Sequence, residues 1–138
     1  MKVLIIEDEQ AVARRLVKLV AEMEPGFEIL EVIDSVEDAV TWLQKNDMPD
    51  LLFLDIHLAD GLSFEIFEKV QVDAPVIFTT AYDNYAIRAF KVNSVDYLLK
   101  PVNREELRKA LDKFLSMKNA GEEAQPDVDY QKLAALIS

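Results

Sequence analysis

The stretch VLIIEDEQAVARRLVKLVAEMEPG, residues 3–26, decides the fold. Val3 to Ile6 form a β-type apolar run that stops at the acidic pair Glu7 and Asp8. Val12, Leu16, Leu19, Val20 and Met23 then recur at three- and four-residue steps, the spacing of one helical face, until Pro25 and Gly26 end the helix. A strand running straight into an amphipathic helix is the repeating unit of an α/β protein.

The alternation continues along the chain. Residues 27–33 (FEILEVI) read as a second strand; Ser35, three residues before Asp38, forms a variant capping box that opens a helix through Ala39, Val40 and Leu43. Pro49 and Asp50 lead into a third strand, LLFL at 51–54. Gly61 and Leu62 are expected to start a helix carrying Phe64, Ile66, Phe67 and Val70, and Pro75 resets the chain for a fourth strand, VIFTT at 76–80. A fourth helix is expected to hold Ala86, Ile87 and Phe90. The fifth strand, VDYLL at 95–99, precedes a capping box made by Asn103 and Glu106, ahead of Leu107, Ala110, Leu111, Phe114 and Leu115. Five such units predict a doubly wound α/β domain over residues 1–118, a five-stranded parallel sheet with helices on both faces. Residues 119–129 (NAGEEAQPDVD) have the small, acidic, proline-containing composition of a linker, and Tyr130 to Ser138 could begin another helix.

Composition narrows the chemistry. The 138 residues suit one domain with a real core, and the lack of cysteine excludes disulfides, thiolate zinc sites and cysteine nucleophiles. The amino-terminal apolar run is too short for a secretory signal, and none approaches a membrane span, so a cytoplasmic protein is expected. Fifteen basic against 26 acidic residues give a net charge of −11, which opposes binding to a phosphate backbone.

Chemistry gathers where the strands end. Glu7 and Asp8 close the first apolar run, Asp55 the third, and Lys100, followed by Pro101, the fifth. All four are therefore expected at the carboxyl edge of a parallel sheet, where ligands bind in open α/β folds. If the first and third strands are neighbours, three carboxylates converge, and their repulsion raises their pKa values unless a cation neutralises them; hard oxygen donors with open positions suit Mg²⁺, or Mn²⁺. An aspartate beside such an ion can attack phosphorus to give an aspartyl phosphate, with Lys100 and the hydroxyl of Thr80 placed to complete the site. Taken singly these residues have plainer readings. A lone acid at a strand end is ordinarily solvated, a lone lysine is ordinarily a surface or ion-pair residue, Thr80 finishes a strand, Tyr97 is a half-buried sheet residue and His57 a loop residue. Their joint order and spacing favours a site.

That order resembles a known family. IIEDE at 5–9, LLFLDIHL at 51–58, the pair Thr80–Ala81 and YLLKP at 97–101 are similar to the motifs of response-regulator receiver domains of two-component signalling, and the resemblance covers nearly all of residues 1–118. It implies the flavodoxin-like strand order 2-1-3-4-5. It also implies that Asp55 is the phosphoacceptor for a sensor histidine kinase, and that Asp8, Asp55 and the backbone carbonyl of His57 bind Mg²⁺, with Glu7 acting through water. Thr80, the Ala81 amide and Lys100 would hold the phosphoryl group. Tyr97 would be the switch aromatic coupled to Thr80, and the Lys–Pro bond would be cis. A receiver of this kind is not a turnover enzyme: it catalyses only its own phosphorylation and dephosphorylation. Its family commonly dimerises, on phosphorylation, through the fourth helix, fifth strand and fifth helix.

A narrower resemblance lies in TTAYDNYAIRAFKVNSVDYLLKP at 79–101, which is similar to the LytTR-type subgroup, whose receivers are usually joined to a carboxy-terminal DNA-binding domain. DNA contact is then expected only through a domain beyond Ser138, with no membrane partner. His57 and Tyr82 stand two residues after Asp55 and Thr80, positions that flank the phosphoryl group in the family. Two departures stand out: Glu7 where many receivers carry Asp, and the short loop IHLADGL after Asp55.

Three other readings fit less well. A haloacid-dehalogenase-type phosphatase places a second acid two residues after its nucleophile, where this chain has His57. A phosphorylation-independent interaction module does not account for Asp55, Thr80 and Lys100 together. Flavin binding at the same edge lacks a phosphate-cradling loop, with only three glycines in the chain.

Overall fold

The computed structural model describes residues 1–82 and 95–120. The expected helix around Ala86, Ile87 and Phe90, the rest of the expected linker from 121 on, and the segment Tyr130 to Ser138 lie outside the described residues. In chain order the elements are β1 (Lys2–Ile6), α1 (Gln10–Met23), β2 (Glu28–Ile33), α2 (Val36–Lys45), β3 (Leu51–Asp55), β4 (His57–Leu58), β5 (Gly61–Leu62), α3 (Phe64–Lys69), β6 (Val76–Thr80), β7 (Asp96–Leu99) and α4 (Arg104–Asn119).

The main sheet has five parallel strands in the order β2-β1-β3-β6-β7, the flavodoxin-like order counted over its own strands. The register pairs Ile6 with Leu54, Asp55 with Thr79, and Thr80 with Leu99, so the carboxyl ends of the central strands finish side by side. Every residue of β3 and β6 is buried, as strands covered on both faces must be.

Strand alternation divides the core in two. Leu4, Ile6, Leu52, Leu54 and Phe78 face α2 and α3, whereas Val3, Ile5, Phe53 and Ile77 face α1 and α4, where Leu16, Val20, Leu111 and Phe114 meet them. Helix starts follow local chemistry: the Ser35 hydroxyl accepts from the Asp38 N–H at 3.1 Å, and Asn103 Oδ1 from the Glu106 N–H at 3.0 Å.

Gly61 and Leu62 do not start the third helix. They form β5, which pairs antiparallel with β4, and the helix begins at Phe64, with Val70 as its C-cap. The reason is Gly61: its φ of +147° is a conformation that L side chains avoid, and a Cβ there would run into the Glu65 carboxylate. His57, expected in a loop, opens the hairpin and pairs with Leu62. No helix among the described residues is long and apolar enough to cross a membrane.

Candidate phosphoryl-acceptor site

Each strand end delivers one group to the same edge. Asp55 is the last residue of β3 and is 3% exposed; Glu7 follows β1 at 2%, held there by its own N–H donating to the Ile33 carbonyl at 2.8 Å. Lys100 follows β7, where its N–H donates to the Thr80 carbonyl at 2.7 Å. The Lys100–Pro101 peptide is cis, and Arg15 of α1 donates to the Val102 carbonyl just beyond it at 2.8 Å. Three sequence-distant strands thereby fix one ammonium among carboxylates.

The Lys100 ammonium reaches Asp55 Oδ2 at 2.8 Å, Glu7 Oε2 at 3.0 Å and Glu9 Oε1 at 3.1 Å. Glu7 accepts further from the Glu9 N–H at 3.1 Å and meets the Thr79 hydroxyl at 3.5 Å. Asp55 Oδ1 accepts from the His57 N–H at 3.3 Å. Asp8 is half-buried beside them, and oxygens of Glu7, Asp8, Glu9 and Asp55 all lie within 4.8 Å of one another.

Burial dominates the electrostatics. It pushes the Glu7 carboxyl from its ordinary 4.5 up to about 7, against the hydrogen bonds from the Glu9 amide and Lys100. It raises Asp55 in the same direction, although the Lys100 hydrogen bond opposes it. For Lys100 burial pulls the pKa down, but the Asp55 and Glu7 carboxylates outweigh it and leave the pKa above its ordinary value. One ammonium thus stands against four carboxylates, a donor set of hard oxygens with a surplus of negative charge, which suits a divalent cation such as Mg²⁺.

The other residues singled out in the sequence surround this cluster. Thr80 ends β6 fully buried, and its Oγ1 accepts from the Tyr82 N–H at 3.1 Å. Ala81 follows it on the exposed rim. The rings of His57 and Tyr82 lie against each other. Tyr97 stands in β7 opposite Phe78, half-buried against the core on the α2 and α3 side, two residues before the Leu99 that pairs with Thr80.

Three contributors were not singled out in the sequence. Glu9 is the third partner of Lys100, 91 positions away, and only the pairing of distant strand ends reveals it. Thr79 touches Glu7, but in the run VIFTT nothing marks which threonine faces which side. Asp60, in the hairpin turn, accepts from the Val36 and Glu37 N–H groups at 2.8 and 3.2 Å and so ties the loop after Asp55 to the start of α2.

Known proteins resemble this chain over most of its length. The family profile described as response regulator receiver domain matches residues 3–112. The sensory transduction protein LytT of Bacillus anthracis is 39% identical over 131 residues, which cover 93% of this chain and 52% of that protein. The transcriptional regulatory protein LytR of Staphylococcus aureus is 36% identical over 121 residues, 86% of this chain and 48% of that protein. The chain spans about half the length of the curated relatives it matches. Among solved structures, the response regulatory domain of protein mrkE from Klebsiella pneumoniae aligns with a TM-score of 0.71 at 30% identity, covering 87% of this chain and 99% of that one. A two-component response regulator from Clostridium difficile aligns with a TM-score of 0.71 at 28% identity, over 86% and 98% of the two chains.

Proposed function

The chain belongs to the response regulator receiver domain family, and from that premise we propose that it accepts one phosphoryl group on Asp55 from a sensor histidine kinase. The observation that carries this reading is the buried Asp55 carboxylate, 2.8 Å from the Lys100 ammonium inside a cluster of acids. In the transfer an Asp55 oxygen forms a bond to phosphorus as the P–N bond of the kinase phosphohistidine breaks. The electron pair of that bond leaves with the imidazole nitrogen.

Asp8, Asp55 and the His57 backbone carbonyl are the groups that would hold Mg²⁺ or Mn²⁺, with Glu7 acting through a water. The ion when bound supplies neutralisation of the phosphoryl oxygens, the dominant need in phosphoryl transfer. Lys100 would add a second positive charge, and the Thr80 hydroxyl and Ala81 amide would donate to the phosphoryl oxygens. Such a domain is regulatory, acting only on its own phosphorylation state.

The output is carried elsewhere. We infer that residues 1–118 form the receiver, that 119–138 lead out of it, and that DNA recognition belongs to a domain beyond Ser138, as the greater length of LytT and LytR suggests. The net charge of −11 supports this division, because this chain repels a phosphate backbone. The partners are then a histidine kinase and a second copy of the receiver, in the cytoplasm. Intact-protein mass spectrometry after incubation with phosphoramidate and Mg²⁺ tests the proposal: one phosphoryl group on the parent and none on Asp55→Asn is expected, and equal labelling of both contradicts it.

A further inference from the structure

An ammonium group has three protons to donate, and in Lys100 all three are engaged. The acceptors are Asp55 at 2.8 Å, Glu7 at 3.0 Å and Glu9 at 3.1 Å. They are not equivalent. The side chains of Asp55 and Glu7 are 4% and 1% exposed, whereas that of Glu9 is 59% exposed. Glu9 also occupies the N-cap position of α1, yet its side chain makes no capping bond there. The shorter side chains of Ser, Thr, Asp and Asn are the ones that ordinarily cap a helix from that position. Here the carboxylate is turned to Lys100 instead.

We propose that Glu9 is the exchangeable partner of Lys100: its carboxylate holds the place that a phosphoryl oxygen takes, and its charge sets the balance between cation binding and phosphoryl acceptance. The inference rests on the phosphoacceptor reading above. To pair with a phosphoryl group on Asp55, Lys100 must give up an acceptor. Glu7 is enclosed by the strand ends, so letting it go would strand a carboxylate in a buried site; Asp55, once it carries the phosphoryl group, is no longer a free carboxylate, and of the two partners that keep their charge only Glu9 is exposed. Glu9 can turn into water at little cost. Glu9 is therefore a positioning residue that acts through Lys100.

The charge count gives the direction of its effect. Glu7, Asp8, Glu9 and Asp55 face one ammonium. A phosphodonor brings further negative charge to that cluster, and a divalent cation brings positive charge. Removing the Glu9 charge therefore lowers repulsion toward the donor and lowers attraction for the cation. These are opposite effects on the two steps. Because Glu9 is exposed, each is modest, roughly two- to fivefold, and screened by salt.

The test uses phosphoramidate as donor, which transfers its phosphoryl group to Asp55 as the P–N bond breaks and the nitrogen departs as ammonia. Labelling rates at saturating Mg²⁺ and Mg²⁺ affinities from calorimetric titration are compared for the parent, Glu9→Gln and Glu9→Lys, at low salt and at about 0.5 M salt. Glu9→Gln, which keeps the length and an acceptor oxygen, is expected to label roughly two- to fivefold faster and to bind Mg²⁺ more weakly by a similar factor. Glu9→Lys should carry both changes further, and salt should shrink both. Unchanged rates and affinities, changes of the same sign, or differences that salt leaves intact overturn the role of Glu9. A parent that takes no label at Asp55 overturns the phosphoacceptor reading itself and this inference with it.

Discussion

The His57 and Tyr82 rings meet at 4.8 Å between centroids, tilted by 54°, so the residue two beyond Asp55 and the residue two beyond Thr80 form one aromatic cover. Each is anchored by its own backbone, the His57 N–H on Asp55 and the Tyr82 N–H on Thr80. His57 Nδ1 is buried with no hydrogen-bond partner among the described residues. Shielding of an Asp55 phosphate from in-line water is the outcome expected of this pair.

Tyr82→Ala should accordingly shorten the life of the phosphorylated state. A roughly threefold faster decay would correspond to about 0.7 kcal/mol off the barrier. Decay measured after removal of the donor checks this; an unchanged rate contradicts shielding. A pH-independent rate near neutrality is also expected, because neither ring is assigned the part of a base.

The site also predicts how stability depends on pH. In the metal-free protein the Glu7 carboxyl titrates near pH 7 instead of its ordinary 4.5 because burial disfavours its charge. The folded state thus binds that proton more tightly than the unfolded chain, so the contribution is full below about pH 4.5 and is lost as pH rises through about 7. Asp55 shifts in the same direction. Urea unfolding in chelator should show the parent losing at most about 3 kcal/mol from this group across the window, and Glu7→Gln showing a flatter profile. Mg²⁺ should stabilise the parent more at pH 8 than at pH 5, since protons compete for the same oxygens. Parallel profiles for parent and Glu7→Gln would contradict this account.

Much of this was legible in the sequence for a simple reason. Strands covered on both faces read as unbroken apolar runs, and VLII and LLFL each end at the residues that meet at the sheet edge. The caps Ser35 and Asn103 were legible because their partners lie three residues away. The β4–β5 hairpin was not, since two-residue strands leave no period and a glycine before apolar residues looks like a helix start. Glu9 was hidden by distance along the chain, and Asp60 because it caps a helix that precedes it by 24 residues.

Asp60 gives a stability prediction that does not depend on metal. Its two bonds to the α2 amides hold its pKa below the ordinary value, the Val36 amide first, and fasten the hairpin to the helix. Asp60→Ala removes an N-cap acceptor and should cost about 1 kcal/mol in urea unfolding, with Asp60→Asn losing less. An Asp60→Ala variant as stable as the parent would show that the latch contributes nothing.

Output should be visible as self-association. Phosphorylation is expected to draw Thr80 toward the phosphoryl oxygens and let Tyr97 turn inward, shifting a pre-existing equilibrium at a surface that includes β7. Leu99 is already 38% exposed on that strand, at the end of the sheet. Light scattering with Mg²⁺ and a stable phosphoryl mimic should give a larger mass than without, and Thr80→Ala should lose the difference. Identical masses over a wide concentration range would count against dimerisation as the output of this chain.

The most direct measurement is to locate the phosphoryl group. Reduction of the labelled protein with borohydride converts an aspartyl phosphate to homoserine, and peptide mass spectrometry then reads its position. The account predicts homoserine at residue 55 alone, formed only when Mg²⁺ accompanied the donor; homoserine at residue 8, or label that forms equally in chelator, would contradict it.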